Sequence, residues 1–230
     1  MSKTEPLNKA WLIALVAASL TACGGGGGGG SSPSPSPPPA PAPPPAPSPP
    51  PPSSPGAPPL SSTVTDISSA QRIGEIHWTN GNTSSGGDGG PVDGIECLAN
   101  MPEDYHVHSY VGIYLNGELL AVPQSVGMVS SPRCYYAIHT HDHSGQVHVE
   151  SSAPGTFTLG QMFNIWGQPL SDTNVAGLTG NPVEVFVVEN GAVTEVESNW
   201  GAIELTSKKM IHIVVGTRPA ELRNITWTGN

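Results

Sequence analysis

The sequence predicts a mainly β domain, an antiparallel sheet or sandwich of hairpins with one short helix over about residues 158–167, behind a disordered proline-rich tether. Three observations support this class. Alternating apolar and polar runs recur in the second half of the chain, and two of them turn at Asn-Gly pairs, a strong hairpin signal. One stretch combines helical spacing with start and stop signals. Most of the chain's 26 prolines lie between Pro33 and Pro59, where apolar side chains for a core are almost absent.

Residues 1–22 are predicted to be a signal peptide. A start with two lysines precedes an apolar stretch over residues 11–20, which is too short to cross a bilayer as a stable helix. The motif L-T-A-C that ends at Cys23 resembles the bacterial lipobox. This resemblance implies cleavage before Cys23, lipidation of that cysteine and anchoring in the bacterial cell envelope. Because Gly24 and not an aspartate follows, it implies the outer rather than the inner membrane if the cell is Gram-negative. An ordinary signal peptide with an unrelated cysteine is the alternative.

Residues 23–62 are predicted to form the lipidated cysteine and a Gly/Pro/Ser-rich linker. The prolines favour an extended polyproline II spacer, with a wall- or partner-binding role as the alternative. Residues 63–230 then form one extracytoplasmic domain. The chain has a net charge of -10 and a pI near 5.1 without a basic cluster, which excludes nucleic acid as an expected partner.

Strands and one helix account for most of the predicted domain. The two Asn-Gly hairpins span residues 105–122 and 183–196. Their similar sequences indicate either two copies of one unit or a chance recurrence of a common turn. Further strands are predicted over residues 209–215 and 225–228. The helix begins with a capping box at Thr158 and Gln161 and ends at Gly167. Its apolar residues follow the i, i+3, i+4, i+7 spacing of one buried face: Leu159, Met162, Phe163 and Trp166.

Residues 137–152, A-I-H-T-H-D-H-S-G-Q-V-H-V-E-S-S, hold four of the chain's eight histidines. A two-residue turn at Ser144-Gly145 predicts a hairpin in which His141 opposes His148 and His139 opposes Glu150. Opposed residues share a face, with Cβ atoms roughly 4.5–5.5 Å apart. Three imidazoles and a carboxylate at that spacing suit copper or zinc. The alternative is a hairpin with solvated histidines, but packing offers no reason to cluster groups that repel when protonated.

His106 and His108 lie two residues apart on the first Asn-Gly hairpin, so they share a face with Tyr110. If this strand lies beside the histidine hairpin, five histidines converge, in one shared pocket or in two sites. His143 sits beside the predicted turn and is a weaker candidate, whereas His77 and His212 are predicted to be structural.

Cys97 and Cys134 are predicted to form a disulfide, because the compartment implied by the signal peptide is oxidising. The alternative is thiolate ligation of the metal. The alternation of a regular strand argues against it, since Cys134 then faces away from the side that carries His139.

Three motifs occur in order over about residues 97–170: H-V-H-S-Y-V-G-I-Y-L-N-G, H-T-H-D-H-S-G-Q-V-H-V-E-S and T-L-G-Q-M-F-N-I-W-G. They resemble those of an uncharacterised group of secreted or lipid-anchored bacterial and archaeal proteins, a resemblance that implies no particular activity. The H-x-H pairs resemble those of cupins, but the glutamate expected shortly after His108 is absent, which rejects that fold. Three histidines on strands are also similar to the zinc site of carbonic anhydrase. This similarity concerns the site and not the fold.

The main hypothesis is a membrane-tethered, extracytoplasmic protein that binds copper or zinc for metal capture, delivery or tolerance. Its predicted ligands are His106, His108, His139, His141, His148 and Glu150. One alternative is a metal-dependent hydrolase, lyase or oxidase with a three-histidine site and Glu150 as general base. A second is a surface adhesion or assembly module. The predicted partners are a metal ion and, through the lipid, a membrane; a periplasmic partner protein is left open.

Overall fold

The computed structural model describes residues 53–54, 56–67 and 72–227. The predicted signal peptide, the lipidation at Cys23 and most of the predicted linker lie outside this part of the chain. Within it, the predicted class is confirmed: the domain is mainly β, with several sheets and one α-helix. None of the helices there is long and apolar enough to span a membrane.

The elements are numbered in chain order. The strands are β1 (Leu60–Asp66), β2 (Glu75–Ile76), β3 (Cys97–Leu98), β4 (Tyr105–Leu115), β5 (Glu118–Ala121), β6 (Met128–Ser130), β7 (Arg133–Tyr136), β8 (Ile138–His139), β9 (Gln146–Ser151), β10 (Asn174–Val175), β11 (Leu178–Thr179), β12 (Val183–Glu189), β13 (Ala192–Glu195), β14 (Met210–Val215) and β15 (Leu222–Thr226). The helix α1 spans Leu159–Trp166, and a 3₁₀ turn spans Trp200–Ala202.

An eight-stranded sheet organises the domain. Its main path runs β13-β12-β14-β4-β5-β2, and β9 joins β4 with β8 at its outer side. The long strand β4 is central: its first half pairs with β9, its second half pairs with β14, and its last residues pair with β5.

The sheet is mixed rather than purely antiparallel, because β14 pairs with β4 in parallel, as β2 does with β5. Hairpin signals report only antiparallel neighbours, so sequence analysis did not find these pairs. Strand β14 reads M-I-H-I-V-V and is buried along its whole length, as is typical of parallel strands covered on both faces.

Both predicted Asn-Gly hairpins are confirmed, as β4-β5 and β12-β13. Each turn needs two consecutive residues with positive φ. Asn116 and Gly117 have φ of 49° and 89°, and Asn190 and Gly191 have 52° and 80°.

The predicted helix is confirmed with its capping box, in which Gln161 N donates to the Thr158 side chain and Thr158 N donates to the Gln161 side chain. Gly167 ends it in the left-handed conformation. The predicted apolar face is fully buried. It packs with Val111, Ile113 and other residues from one face of the sheet.

The opposite face of the sheet forms a second apolar cluster that includes Tyr110, Tyr114, Phe186 and Val214. Strand β1 pairs in parallel with β15, and Leu222 and Ile225 of β15 belong to this cluster. Because β4 alternates, the side chains of His106 and His108 fall on the same side of the strand as Tyr110.

The beginning of the described chain is tied to the domain. Strand β1 starts at Leu60, within the predicted linker. Ser54 N donates to the carbonyl of Val193 on the edge strand β13, and the Ser53 hydroxyl accepts from Val193 N. These bonds cover part of an edge that would otherwise present free backbone groups.

The predicted disulfide between Cys97 and Cys134 is confirmed. It links the paired strands β3 and β7, with the two Cα atoms 5.4 Å apart. Strand β7 runs almost directly into β8, so this bond braces the entry to the histidine-bearing hairpin.

His212 of β14 is fully buried in the sheet. Its Nδ1 lies 3.3 Å from the Tyr114 hydroxyl, and its ring centroid lies 5.5 Å from that of Tyr110. Burial lowers the pKa of His212 to about 3, so the folded protein holds this imidazole neutral.

Replacing His212 by leucine is expected to weaken the acid sensitivity of the fold. As the pH falls, the unfolded chain takes up a proton at His212 at about pH 6.5, whereas the folded chain does not. The contribution of this group to the free energy of unfolding is therefore complete above that pH and is lost as the pH falls towards 3. The slope of unfolding free energy against pH should drop by up to about 1.4 kcal/mol per pH unit in that window.

Urea unfolding of the metal-stripped protein at several pH values measures this slope. His77→Leu, at an exposed position, is the matched control and should leave it unchanged. An unaltered slope in His212→Leu would contradict the assignment.

Candidate metal centre

Three neighbouring strands carry five of the six predicted ligands, and His141 follows β8 in the connection to β9. His148 of β9 opposes His108 of β4 on one side and His139 of β8 on the other. His106 opposes Glu150 in the next pair of β4 and β9. Because directly opposed residues share a face of the sheet, these side chains all rise from one surface. The expectation that five histidines converge if the two strands are neighbours is therefore confirmed.

The predicted pairing within the hairpin is wrong by two residues. His139 opposes His148 rather than Glu150, and the connection is longer than a turn at Ser144-Gly145. The reason lies at Thr140, whose backbone bonds another loop instead of pairing with β9. Its N–H donates to the carbonyl of Val126, and its carbonyl accepts from Ser125 N.

A shift of two residues keeps every side chain on the same face of a strand. The predicted face is therefore correct although the predicted partners are not. The side chain of Asp142 belongs to the connection, where it accepts a bond of 2.8 Å from Ser144 N.

His106, His108 and His148 form a triangle of ring nitrogens. The distances are 2.9 Å between His106 Nε2 and His108 Nε2, 3.1 Å between His108 Nε2 and His148 Nδ1, and 3.3 Å between His106 Nε2 and His148 Nδ1. A ring nitrogen is either a donor or an acceptor. Around a triangle the two roles cannot alternate, so at least one contact joins two lone pairs or two N–H groups. One cation facing all three lone pairs removes this conflict.

The distances suit such an ion. Ligands about 2.0–2.1 Å from a tetrahedral zinc lie roughly 3.3 Å from one another. The triangle is at or slightly below that size, and its three residues lie close enough together to hold one metal ion.

His139 and His141 form a second pair, with their Nε2 atoms 3.2 Å apart. His139 is fully buried, and its Nδ1 lies 3.0 Å from the carbonyl oxygen of Tyr136. Donation from Nδ1–H to that carbonyl leaves Nε2 as the free lone pair, an arrangement common among metal-bound histidines. His141 is exposed and forms the rim of the cluster.

Glu150 lies between the two groups of histidines. Its Oε1 is 3.2 Å from His106 Nε2, 3.2 Å from His148 Nδ1 and 3.6 Å from His139 Nε2. The residue is only 4% exposed, and Oε2 is buried without a hydrogen-bond partner in the described part of the chain. Leaving a carboxylate oxygen buried and unpaired is costly, and a cation held by the cluster could pair with this atom.

Burial and neighbouring groups lower the pKa values of two histidines in the cluster. Desolvation by burial, with His148 beside it, lowers the pKa of His108 to about 4. Partial desolvation within the cluster and the neighbouring His148 and His139 lower the pKa of His141 to about 4, although its outer edge reaches solvent. Both imidazoles are therefore neutral at pH 7, the form that binds metals.

Burial alone would raise the pKa of Glu150. The neighbouring rings of His139, His148 and His106 outweigh burial and hold that pKa far below its ordinary value. The carboxyl group is thus ionised at pH 7.

The remaining candidates stay outside the cluster. His143 Nε2 contacts Asn80 Oδ1 at 2.8 Å, and neither His143, His77 nor His212 belongs to the two ligand groups of the described chain. Both domain cysteines are in the disulfide, which removes them as thiolate ligands. Sequence analysis missed the carbonyl of Tyr136 and the position of Gly127, because no local pattern marks a contact made only in the folded state.

No protein-family model, curated protein or solved structure matches this chain. The class of the site therefore rests on its own geometry: a histidine-rich cluster with one buried carboxylate that could hold a metal ion.

Gly127 is expected to be essential for the position of His139. It has φ of +77°, and a Cβ there would lie 2.2 Å from Ile138 O and 2.9 Å from His139 Cβ. Gly127→Ala should therefore displace β8, lower stability and weaken metal binding, measured by chemical unfolding and zinc titration.

Gly177→Ala is the matched control, because Gly177 has φ of +87° but open space around it. It carries the backbone strain, about 1–2 kcal/mol for a left-handed residue, without the clash. Equal zinc affinity in both variants would contradict the role assigned to Gly127.

Proposed function

We propose that this chain is a lipid-anchored protein of the bacterial cell envelope whose extracytoplasmic domain binds copper or zinc. The observation that carries the metal proposal is the triangle of His106, His108 and His148, whose contacts cannot all be hydrogen bonds. The buried, unpaired oxygen of Glu150 supports it independently. All donors are nitrogen or carboxylate oxygen, a set that suits zinc and divalent copper, whereas a site rich in sulfur would favour monovalent copper.

The cellular role follows from the way the domain is attached. The lipobox-like motif at Cys23 and the proline-rich linker favour a domain held outside the membrane on a spacer. A tethered domain with a histidine cluster suits metal capture, delivery or tolerance. Incidental histidines on an adhesion module would have no reason to converge on a buried carboxylate.

A metal-dependent enzyme is the second candidate, because Glu150 also lines a surface cavity with Tyr136, Ser151 and Phe157. A substrate in that cavity would lie near a carboxylate able to act as general base. The burial of Glu150 and its contacts with three imidazole nitrogens favour a ligand role instead.

Alanine at His139, His141 or His148 is expected to lower metal affinity by about tenfold or more, since each change removes a donor. Competition titrations with zinc and copper measure the effect, and His77→Ala is the control. Because only neutral imidazoles bind and the pKa values of His108 and His141 are lowered to about 4, affinity should also fall as the pH drops towards 4. Unchanged affinity and stoichiometry in all three variants would end the metal proposal.

Glu150→Gln separates the two candidate functions. A ligand role predicts weaker metal binding, because an amide is a poorer metal donor than a carboxylate. A general-base role predicts retained metal with lost turnover. Metal content and any hydrolytic or oxidase activity are therefore measured on the same preparation.

Cys23→Ser is expected to release the protein from membranes or to block its processing, because the acceptor thiol is absent. Membrane fractionation and incorporation of labelled fatty acid measure this, with Gly24→Ser as a variant that keeps the cysteine. Unchanged membrane partitioning of Cys23→Ser would refute the lipid anchor and leave the metal proposal untouched.

A further inference from the structure

We infer that the cluster is a two-ion centre in which Glu150 bridges the metals. This inference rests on the proposed metal-binding function and extends it. One ion would lie at His106, His108 and His148, and the other at His139 and His141.

The six donors are spread more widely than the ligands of one metal ion. Two ligands of one zinc ion lie at most about 4.2 Å apart, twice the metal–nitrogen distance of about 2.1 Å. The donors separate into two groups, each with its atoms within 4.8 Å of one another: His139, His141, His148 and Glu150 in one, and His106, His108 and His148 in the other. The two groups share only His148, so an ion held by one group leaves at least two donors of the other outside its coordination sphere.

Each group of donors also contains its own close pair of histidines. The Nε2 atoms are 2.9 Å apart in His106 and His108, and 3.2 Å apart in His139 and His141. The ring of His148 lies between the pairs, with its centroid 4.3 Å from that of His108 and 4.4 Å from that of His141. Its Nδ1 faces His106 and His108, which gives their ion three nitrogens.

Glu150 lies between the two pairs of histidines. Its Oε1 reaches a nitrogen of each pair, at 3.2 Å for His106 and 3.6 Å for His139. Its Oε2 is buried and has no partner in the described chain. A carboxylate offers two oxygens, so it can bind one ion through each. Its negative charge between two cations also offsets their repulsion at the separation of about 3.5–4 Å found in two-metal sites.

The two positions differ in access. Each pair has one buried histidine, His139 or His108; the partner is exposed at His141 and only 32% exposed at His106. The ion at His139 and His141 has the more open shell and is the one that exchanges with solution. The ion at His106, His108 and His148 is the retained one.

The test uses the full-length chain in detergent, stripped of metal and titrated with zinc, with bound metal counted by elemental analysis. Two zinc ions per chain are expected, the second binding more weakly. His108→Ala and His141→Ala should each retain one ion, and His77→Ala should retain two. With copper(II), the fully loaded protein should show a spin-coupled signal in electron paramagnetic resonance, and each single-site variant should show an ordinary mononuclear one.

One zinc ion per unaltered chain, lost in both His108→Ala and His141→Ala, would overturn the two-ion centre and leave the proposed metal-binding function standing. No bound zinc or copper would overturn the proposed function itself. The stoichiometry of the unaltered chain decides between these outcomes without any variant, so a substitution that impairs folding does not weaken the test.

Discussion

The pairing of β9 with β4 sets the register on which the site depends. It places His148 beside His108 and Glu150 beside His106. A slip of one residue between these strands would turn every donor of β9 to the opposite face, into the apolar cluster that packs on α1. That cluster contains Val147 and Val149, whose burial therefore fixes the register as firmly as any contact among the histidines. The apolar face holds the polar face in place.

The arrangement of the polar face is unfavourable for the free energy of folding. Imidazole nitrogens crowd against one another, and an ionised carboxylate is removed from water. Each feature opposes folding in isolation. Bound metal would offset both effects, because it binds imidazole lone pairs and compensates the charge of the carboxylate. Metal that binds the folded state alone then stabilises it in proportion to its concentration relative to Kd.

Local chemistry made much of the fold predictable. The capping box at Thr158, Gly167 beyond the helix and the two Asn-Gly turns each act within a few residues, so sequence alone located α1 and two hairpins. Alternation was equally reliable at the site, since it depends only on strand geometry, and it put the correct side chains on one face. The register of β8 was not predictable, because the loop around Val126 captures Thr140. The parallel neighbours β14 and β4 are separated by a long stretch of chain, and no local pattern reports that pairing.

The attachment at the start of the domain has a mechanical consequence. Ser53 and Ser54 bond to the edge strand β13, and β1 pairs with β15. Tension applied through the N-terminal segment is therefore first resisted by these bonds, in shear along β1 and at the margin of the large sheet. The strands that carry the histidines, β4, β8 and β9, begin further along the chain, beyond the elements that take up the load. A domain pulled from its N-terminal side would yield at that margin before the histidine cluster is deformed.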